Sequence, residues 1–167
     1  MPATEQDLFT LLDRLGIRYT VHRHAPVFTV AESQSLYDLL PGGHVKNLFL
    51  KDKRGRYALV TALAAQKIDL KSLSRAAGVG LDRLSFASPD RLMEVLGVTP
   101  GAVTPLALMN AKGQELAVIL DQGLMAHEVV YVHPLHNAAS IGLAPDDLLA
   151  FIRHLGHEPV VLALDSL

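Results

Sequence analysis

The sequence contains no cysteine. Without thiols the chain can form no disulfide, no thiolate nucleophile and no cysteine-based zinc site. Long apolar runs are also missing, since none reaches the roughly 18 residues that a membrane-spanning helix requires. The N-terminus lacks the basic and apolar regions of a signal peptide. We therefore expect a cytoplasmic protein with no membrane partner.

Short motifs of several enzyme classes are absent as well. Gly78 and Gly80 lack the third glycine of a dinucleotide fingerprint, and there is no phosphate loop or Gly-x-Ser-x-Gly elbow. The chain has 8 histidines, but none stands in a His-Glu-x-x-His motif, and Pro134 lies between His133 and His136. We expect neither a catalytic metal nor a cofactor.

What remains is the composition of a globular protein. Hydrophobic residues make up 50% of the 167 positions and charged residues 19%, which allows a substantial core. The sequence has no internal repeat, linker or low-complexity segment. Residues 1–167 are therefore expected to form a single domain.

The charges are unevenly distributed along the chain. The net charge of −2 argues against a generally basic protein, and we expect no DNA partner. Residues 44–83, however, contain nine Lys or Arg against three Asp, whereas residues 114–167 contain seven acids and only Arg153. Such polarity is typical of a protein that meets a polyanion with one face. Ordinary solvated charges would give the same count.

Hydrophobic periodicity and turn residues predict an α/β domain with a mixed, largely antiparallel sheet and peripheral helices. Capping residues and helical spacing predict helices over 4–15, 29–40, 69–77, 88–96 and 145–155. Short apolar runs between turn residues predict strands over 17–24, 45–50, 57–62, 83–86, 107–110, 116–120, 129–132 and 159–164.

Three features combine into a candidate site. Lys46 begins a strand, a loop rich in glycine and proline surrounds Gly101, and His133 ends a strand. Lysine suits phosphate, small stiff loops let a ligand approach backbone amides, and histidine suits polar recognition or proton transfer. Each feature alone is more often structural than functional.

Three motifs, in this order, resemble those of the YbaK/prolyl-tRNA synthetase editing-domain family. They are Gly-Gly-His-x-Lys-Asn-Leu-Phe-Leu-Lys-Asp over 42–52, Gly-Val-x-Pro-Gly-x-Val-Thr-Pro over 97–105 and His-Pro-Leu-x-Asn-x-Ala over 133–139. Within that family the chain is most similar to the free-standing alanyl-tRNA(Pro) deacylases, called ProXp-ala or PrdX. The resemblance implies hydrolysis of the ester that joins alanine to tRNA(Pro). The partner is then the acceptor end of that tRNA, and recruitment of prolyl-tRNA synthetase stays open.

The resemblance also implies roles for particular residues. Those carried over as catalytic are Lys46, Gly101 and His133; those around the substrate are Asn47, Val103, Pro105, Asn137 and Ser140; those that bind tRNA are Lys46, Lys51 and Arg83. Lys46 is expected to meet the terminal adenosine, and Arg83 the acceptor stem. His133 could act as a base, a carbonyl donor or a pocket wall, and we favour recognition over proton transfer.

Two alternatives stay open. The same fold could hydrolyse another mischarged tRNA, such as a cysteinyl or seryl ester. It could also serve as a non-catalytic module that binds tRNA or regulates its use.

Replacement of Lys46 by alanine tests the role implied for this cation. Lys46→Ala should weaken deacylation mainly through tRNA binding and should flatten its salt dependence by about one counterion, because one phosphate-directed charge is lost. Binding titrations over a salt series, together with the deacylation rate, measure both effects. An unchanged slope with an unchanged rate would contradict the prediction.

Overall fold

A computed structural model describes residues 1–26, 30–76 and 78–167. Its helices are α1 (Glu5–Arg14), α2 (Val30–Leu39), α3 (Leu70–Ser74), α4 (Pro89–Leu96) and α5 (Pro145–His154). Its strands are β1 (Tyr19–Arg23), β2 (Gly43–Lys51), β3 (Tyr57–Leu63), β4 (Ser85–Phe86), β5 (Leu116–Asp121), β6 (Val130–Val132), β7 (Ala139–Leu143) and β8 (Val160–Leu162). Thr29, the expected cap of the second helix, and Ala77, the expected end of the third, lie outside the described residues.

The described strands form one mixed sheet, as predicted. Seven of them run in the order β1-β7-β6-β2-β3-β5-β8, and β4 pairs with β2 beside this path. The pairs β1–β7, β6–β7, β2–β3 and β2–β4 are antiparallel, whereas β2–β6, β3–β5 and β5–β8 are parallel. β2, β3 and β6 therefore each have both a parallel and an antiparallel neighbour.

The two faces of the sheet bury different side chains. Phe49 and Leu59 belong to the larger core, together with residues of α1, α4 and α5. Their neighbours Leu50, Ala58 and Val60 belong to a smaller core that includes Leu73 of α3. Successive side chains of a strand point to opposite faces, so this central part of the sheet is covered on both sides.

Local signals in the sequence explain where the helices begin and end. The Thr4 hydroxyl accepts a hydrogen bond from the backbone of Asp7, and the Asp7 carboxylate accepts one from the backbone of Thr4, which forms a capping box for α1. Ser88 caps α4, and Gly97 ends it with φ at +67°, in the left-handed region. None of the helices in the described segments has the length and apolar character needed to span a bilayer.

The strand predicted over 107–110 is wrong. Pro105–Asn110 forms a short 3-10 helix, and the hydroxyl of Thr104 accepts a hydrogen bond from the backbone of Leu106 at its start. Leu106, Ala107 and Leu108 are all buried. A short helix buried on every side has no amphipathic pattern, so its apolar run cannot be told from a strand.

One strand was not predicted at all. β7 reads Ala-Ser-Ile-Gly-Leu, and it lies between β1 and β6 with every residue buried. Its serine and glycine weaken the apolar run that would have indicated a strand. β7 follows directly on the loop that begins at His133, so its pairing with β1 and β6 fixes the end of that loop.

The turn between β2 and β3 is organised by the buried carboxylate of Asp52. It accepts hydrogen bonds from the backbone of Arg54 and Arg56 at 3.0 and 2.8 Å, from Nε of Arg56 at 2.8 Å and from the backbone of Asp82 at 3.3 Å. Burial alone raises the pKa of Asp52, but the hydrogen bonds from Arg56, Asp82 and Arg54 together hold it below its usual value. One carboxylate therefore links the turn to the segment that contains Asp82.

Asp52→Ala is expected to lower the free energy of unfolding by about 2–4 kcal/mol, because several buried donors lose a charged acceptor. A carboxylate with a lowered pKa stabilises the fold above its unfolded-state pKa of about 3.9, and this contribution disappears as the pH falls through the folded-state pKa. The variant should therefore lose less stability than the wild type on acidification below about pH 4. Urea unfolding between pH 7 and 3 measures both effects. Asp165→Ala, at an exposed position, is the control, and equal urea midpoints for wild type and Asp52→Ala would contradict the prediction.

Candidate active site

A small pocket opens where β2 separates from β6. The two strands pair over only two positions, Gly43 with Val130 and His44 with Tyr131, and then diverge. The pocket has a volume of about 190 Å³, and the polar side chains that line it include Tyr37, His44, Asn47, Tyr131, His133 and Ser140. Ligand pockets usually measure about 300–1,000 Å³. This one therefore suits a small end group of a larger ligand.

The divergence leaves part of the β2 backbone without a strand partner. Gly43 donates its N–H to Val129 on this edge, and Phe49 accepts the N–H of Ala87 on the same edge. Backbone groups alternate in direction along a strand, so those of Asn47, which is four residues after Gly43 and two before Phe49, also face this edge. No strand in the described residues pairs with β2 at Asn47 on this side. A ligand in the pocket can therefore reach main-chain groups.

The amide of Asn47 is held as a donor toward the pocket. Its Oδ1 accepts a hydrogen bond of 2.6 Å from the hydroxyl of Thr61, a fully buried residue on β3. No described residue accepts a hydrogen bond from Nδ2 of Asn47. Because an amide nitrogen only donates, this group suits a carbonyl oxygen or an oxyanion.

His133 presents an acceptor to the same pocket. Its Nδ1 lies 3.2 Å from the carbonyl oxygen of Ala139, which can only accept, so Nδ1 carries the proton and Nε2 a lone pair. Burial lowers the pKa of His133, the nearby His24 and His136 lower it further, and the Ala139 carbonyl opposes them. The imidazole is therefore neutral at pH 7.

Ser140 adds a second acceptor. Nδ1 of His24 lies 2.8 Å from the carbonyl of Ala25 and must donate to it, so Nε2 of His24 accepts the Ser140 hydroxyl proton at 2.9 Å. The lone pairs of Ser140 Oγ stay available. The pocket thus combines one amide donor with two neutral acceptors.

A stack of three rings closes one side of the pocket. The His44 ring lies between Tyr37 and Tyr131, at centroid distances of 4.3 and 4.8 Å. His44 Nε2 donates to the carbonyl of Leu40 at 2.6 Å, and the Tyr131 hydroxyl donates to that of Pro41 at 2.8 Å. Burial lowers the pKa of His44, so this wall is uncharged at neutral pH.

The loop that follows His133 is fixed to α1. His136 Nδ1 accepts the backbone N–H of Ala138 at 3.1 Å, so its Nε2 carries the proton that it donates to Glu5 at 2.9 Å. Glu5 also binds both terminal nitrogens of Arg23, at 2.9 and 3.1 Å, and the hydrogen bond from Arg23 is the main reason that the pKa of Glu5 is lowered. These contacts hold the loop rigidly beside the pocket.

The structure brings the predicted site residues together only in part. Asn47, His133 and Ser140 share the pocket. Gly101 lies in a 3-10 turn, where a β-carbon would stand 3.2 Å from Nδ2 of Asn137. Val103 is half-buried and Pro105 buried, and neither lines the pocket. The roles implied for these residues stay predictions.

The three predicted tRNA-binding residues lie in two places. Lys46 does not line the pocket, and the alternation of β2 places it on the face of Leu48 and Leu50, opposite to Asn47. Lys51 and Arg83 line a larger cleft of about 1,130 Å³. Its other cations are Lys53, Lys71 and Arg75. The roles in tRNA binding stay predictions.

Sequence reasoning missed several residues of the site. Thr61, His24, His44 and Tyr131 orient or enclose the pocket, yet no role was predicted for any of them, and only His44 lies in one of the three sequence motifs. The basic excess over residues 44–83 was a signal for Lys71 and Arg75, although it did not place them in one cleft. In the described residues, no group of three or more His, Asp or Glu side chains could hold a metal ion.

Comparison with known proteins identifies the class to which this fold and pocket belong. The model of the aminoacyl-tRNA editing domain matches residues 24–151, and the chain belongs to this family. It is 43% identical over 158 residues to prolyl-tRNA synthetase associated domain-containing protein 1 of Bos taurus, covering 93% of this chain and 92% of that protein. It is 40% identical over 154 residues to prolyl-tRNA editing protein ProX of Acetoanaerobium sticklandii, covering 92% and 93%.

A solved structure shares the fold. That of hypothetical protein APE2540 superposes with a TM-score of 0.72 at 21% identity, over 92% of this chain and 97% of that one. The resemblance of the three sequence motifs to the editing-domain family is thereby confirmed by the family model and the relatives.

The tautomer of His133 can be measured directly. We expect the neutral form with the proton on Nδ1, and a titration midpoint below the ordinary histidine value of about 6.5, because burial disfavours the charged ring. Two-bond ¹H–¹⁵N correlation spectra over a pH series report both, and His133→Ala assigns the signal by its disappearance. A proton on Nε2, or a midpoint above 6.5, would contradict the geometry described here.

Proposed function

We propose that the chain hydrolyses the ester of alanyl-tRNA(Pro) in trans, after the mischarged tRNA has left the synthetase. The observation that carries the proposal is the small pocket that holds the donor Asn47 beside the acceptors His133 and Ser140. Membership of the editing-domain family and the name of the Acetoanaerobium relative support the substrate class.

The polar groups of the pocket match the two polar ends of an aminoacyl ester. The ester carbonyl accepts from the Asn47 amide, which then stabilises the oxyanion that forms as water attacks. The α-ammonium group donates to the neutral His133 Nε2 and to Ser140 Oγ. Both ends of the alanyl group are thus fixed in one orientation, which is the main requirement for reaction of a bound ester.

The reaction needs no covalent nucleophile, because an aminoacyl ester is already activated. A water oxygen bonds to the carbonyl carbon, the bond from that carbon to the ribose oxygen breaks, and the departing oxygen takes up a proton. The neighbouring ribose hydroxyl of the terminal nucleotide assists the water. The products are free alanine and tRNA with an intact 3′ end.

Selectivity follows from the size of the pocket. A hydrophobic site that binds the larger amino acid prefers it by only about 10–200-fold for each additional methylene, so affinity alone does not reject the smaller one. A hydrolytic pocket that admits alanine and excludes proline has the opposite preference and removes the wrong amino acid. The His44 ring is packed between those of Tyr37 and Tyr131, so this wall resists displacement.

A panel of charged tRNAs tests the proposal. Purified protein should deacylate Ala-tRNA(Pro) much faster than Pro-tRNA(Pro) or Ala-tRNA(Ala). Faster hydrolysis of a cysteinyl or seryl ester would keep the chemistry and change the substrate. Absence of hydrolysis on the whole panel, with tRNA binding retained, would overturn the proposal in favour of a non-catalytic module.

His133→Ala should change substrate discrimination at least as clearly as it lowers the rate, because we assign His133 to recognition. The wild-type rate should fall on the acid side of about pH 6.5, where protonation removes the Nε2 acceptor. Single-turnover deacylation of alanyl- and prolyl-tRNA(Pro) from pH 5.5 to 8.5 measures both effects. A general base contributes about 10²–10⁴-fold. Loss of the pH-dependent limb with an unchanged substrate ratio would therefore make His133 the base.

A further inference from the structure

Phe86 is an aromatic side chain that the core does not explain. It lies on the edge strand β4 and is 63% exposed, and among the residues that the structure describes it is the only exposed aromatic. Its neighbour Leu84, two positions earlier, packs against the smaller core, whereas Phe86 does not. An exposed phenyl ring on a strand has lost hydrophobic stabilisation that burial would have provided.

The register of β4 places Phe86 on the same face as Lys46. Phe86 stands opposite Leu50, and residues opposite each other in a sheet point to the same side. Lys46 and Leu48 share that side because they are four and two positions from Leu50. The ring therefore lies on the face where the predicted contact to the terminal adenosine, Lys46, is also found.

Two cations beside Phe86 also belong to the basic cleft. Arg83 lies three residues before it, and Lys51 pairs with Ser85 beside it. Both line the basic cleft, whose carboxylates are Asp52 and Asp82. The Asp52 carboxylate is already paired with Arg56 at 2.7 Å, which leaves the cleft with a clear excess of positive charge.

The backbone near Arg83 is held in an unfavourable conformation. Arg83 has φ at +48°, in the left-handed region that non-glycine residues rarely adopt. Its neighbour Asp82 donates its N–H to Asp52 and accepts the N–H of Lys53 at 2.8 Å. These bonds fix the start of β4, and with it the position of Phe86 relative to the cleft.

The pocket and the ring are joined by the free edge of β2. Asn47 borders the pocket, and Phe86 stands opposite Leu50, three residues further along. At about 3.3 Å per residue, Asn47 and Leu50 are about 10 Å apart along β2. Asn47 is on the opposite face of β2 from Phe86, but His44, which also lines the pocket, is on the same face as Phe86. A nucleic-acid strand whose terminal group occupies the pocket can therefore reach Phe86 and the cations of the cleft along that face.

We propose that Phe86 is a stacking platform for an unpaired base at the 3′ end of the tRNA, between the pocket and the basic cleft. This inference rests on the proposed function, since it takes the aminoacyl end as the group in the pocket. Proteins that bind single-stranded nucleic acids without reading their sequence stack the bases on aromatic side chains and bind the phosphate backbone with a row of cations. The flanking Lys46, Lys51 and Arg83 favour this ligand over an apolar protein surface.

The test compares uncharged tRNA(Pro) that has an intact 3′ end with the same tRNA from which the unpaired 3′ nucleotides have been removed. Phe86→Ala should lower affinity for the intact tRNA by about 5- to 150-fold, the range expected for one stacked base, and should leave affinity for the trimmed tRNA unchanged. Phe86→Trp keeps an aromatic ring and should bind the intact tRNA as tightly as the wild type. Val161→Ala, which shortens another exposed apolar side chain on the edge strand β8, is the matched control.

The other outcomes of the Phe86→Ala measurement contradict the proposal. An equal loss of affinity for both tRNAs, or no loss for either, would show that Phe86 does not stack on a 3′ base. Loss of binding to prolyl-tRNA synthetase instead would assign Phe86 to a protein interface. Binding does not require turnover, so tRNA affinity and ester hydrolysis are separate readouts for the two proposals. A wild-type protein that binds through Phe86 but hydrolyses no ester would refute the deacylase and keep the platform.

Discussion

The site depends on the way that β2 is shared among its neighbours. β3 pairs with one edge of this strand from Val45 to Lys51, whereas β6 and β4 pair only with the two ends of the other edge. The uncovered stretch provides main-chain hydrogen-bonding groups at the centre of a rigid sheet. Pairing with β3 from Val45 to Lys51, together with the burial of Phe49 and Leu50, holds the strand in place.

The side chains around the pocket carry no charge at pH 7. Backbone carbonyls fix the proton on one nitrogen of His24, His44 and His133, and burial opposes protonation of the last two. A pocket with lone pairs and no fixed charge attracts an ammonium group through directed hydrogen bonds alone. The cations of the basic cleft are the groups suited to phosphates. Under the proposed function, the two halves of an aminoacyl-tRNA would meet separate surfaces of matching chemistry.

The sequence predicted the framework of the protein better than its pocket. Capping residues marked α1 and α4, and the apolar run after Lys46 marked β2, because these signals are local. The helix over Pro105–Asn110 was mistaken for a strand because burial on all sides removes the periodicity that distinguishes the two, and β7 was missed because its serine and glycine weaken its apolar run. The divergence of β2 from β6 depends on contacts between distant segments, and no local pattern encodes it.

The account claims above all that the aminoacyl group binds in the gap between β2 and β6. A crystal structure with a non-hydrolysable amide analogue of alanyl-adenosine tests this most directly. The account predicts the alanyl carbonyl within hydrogen-bond distance of Asn47 Nδ2, the ammonium group near His133 Nε2, and the adenosine on the open edge of β2. An alanyl group bound in the basic cleft, or one in the pocket with its carbonyl turned away from Asn47, would contradict it.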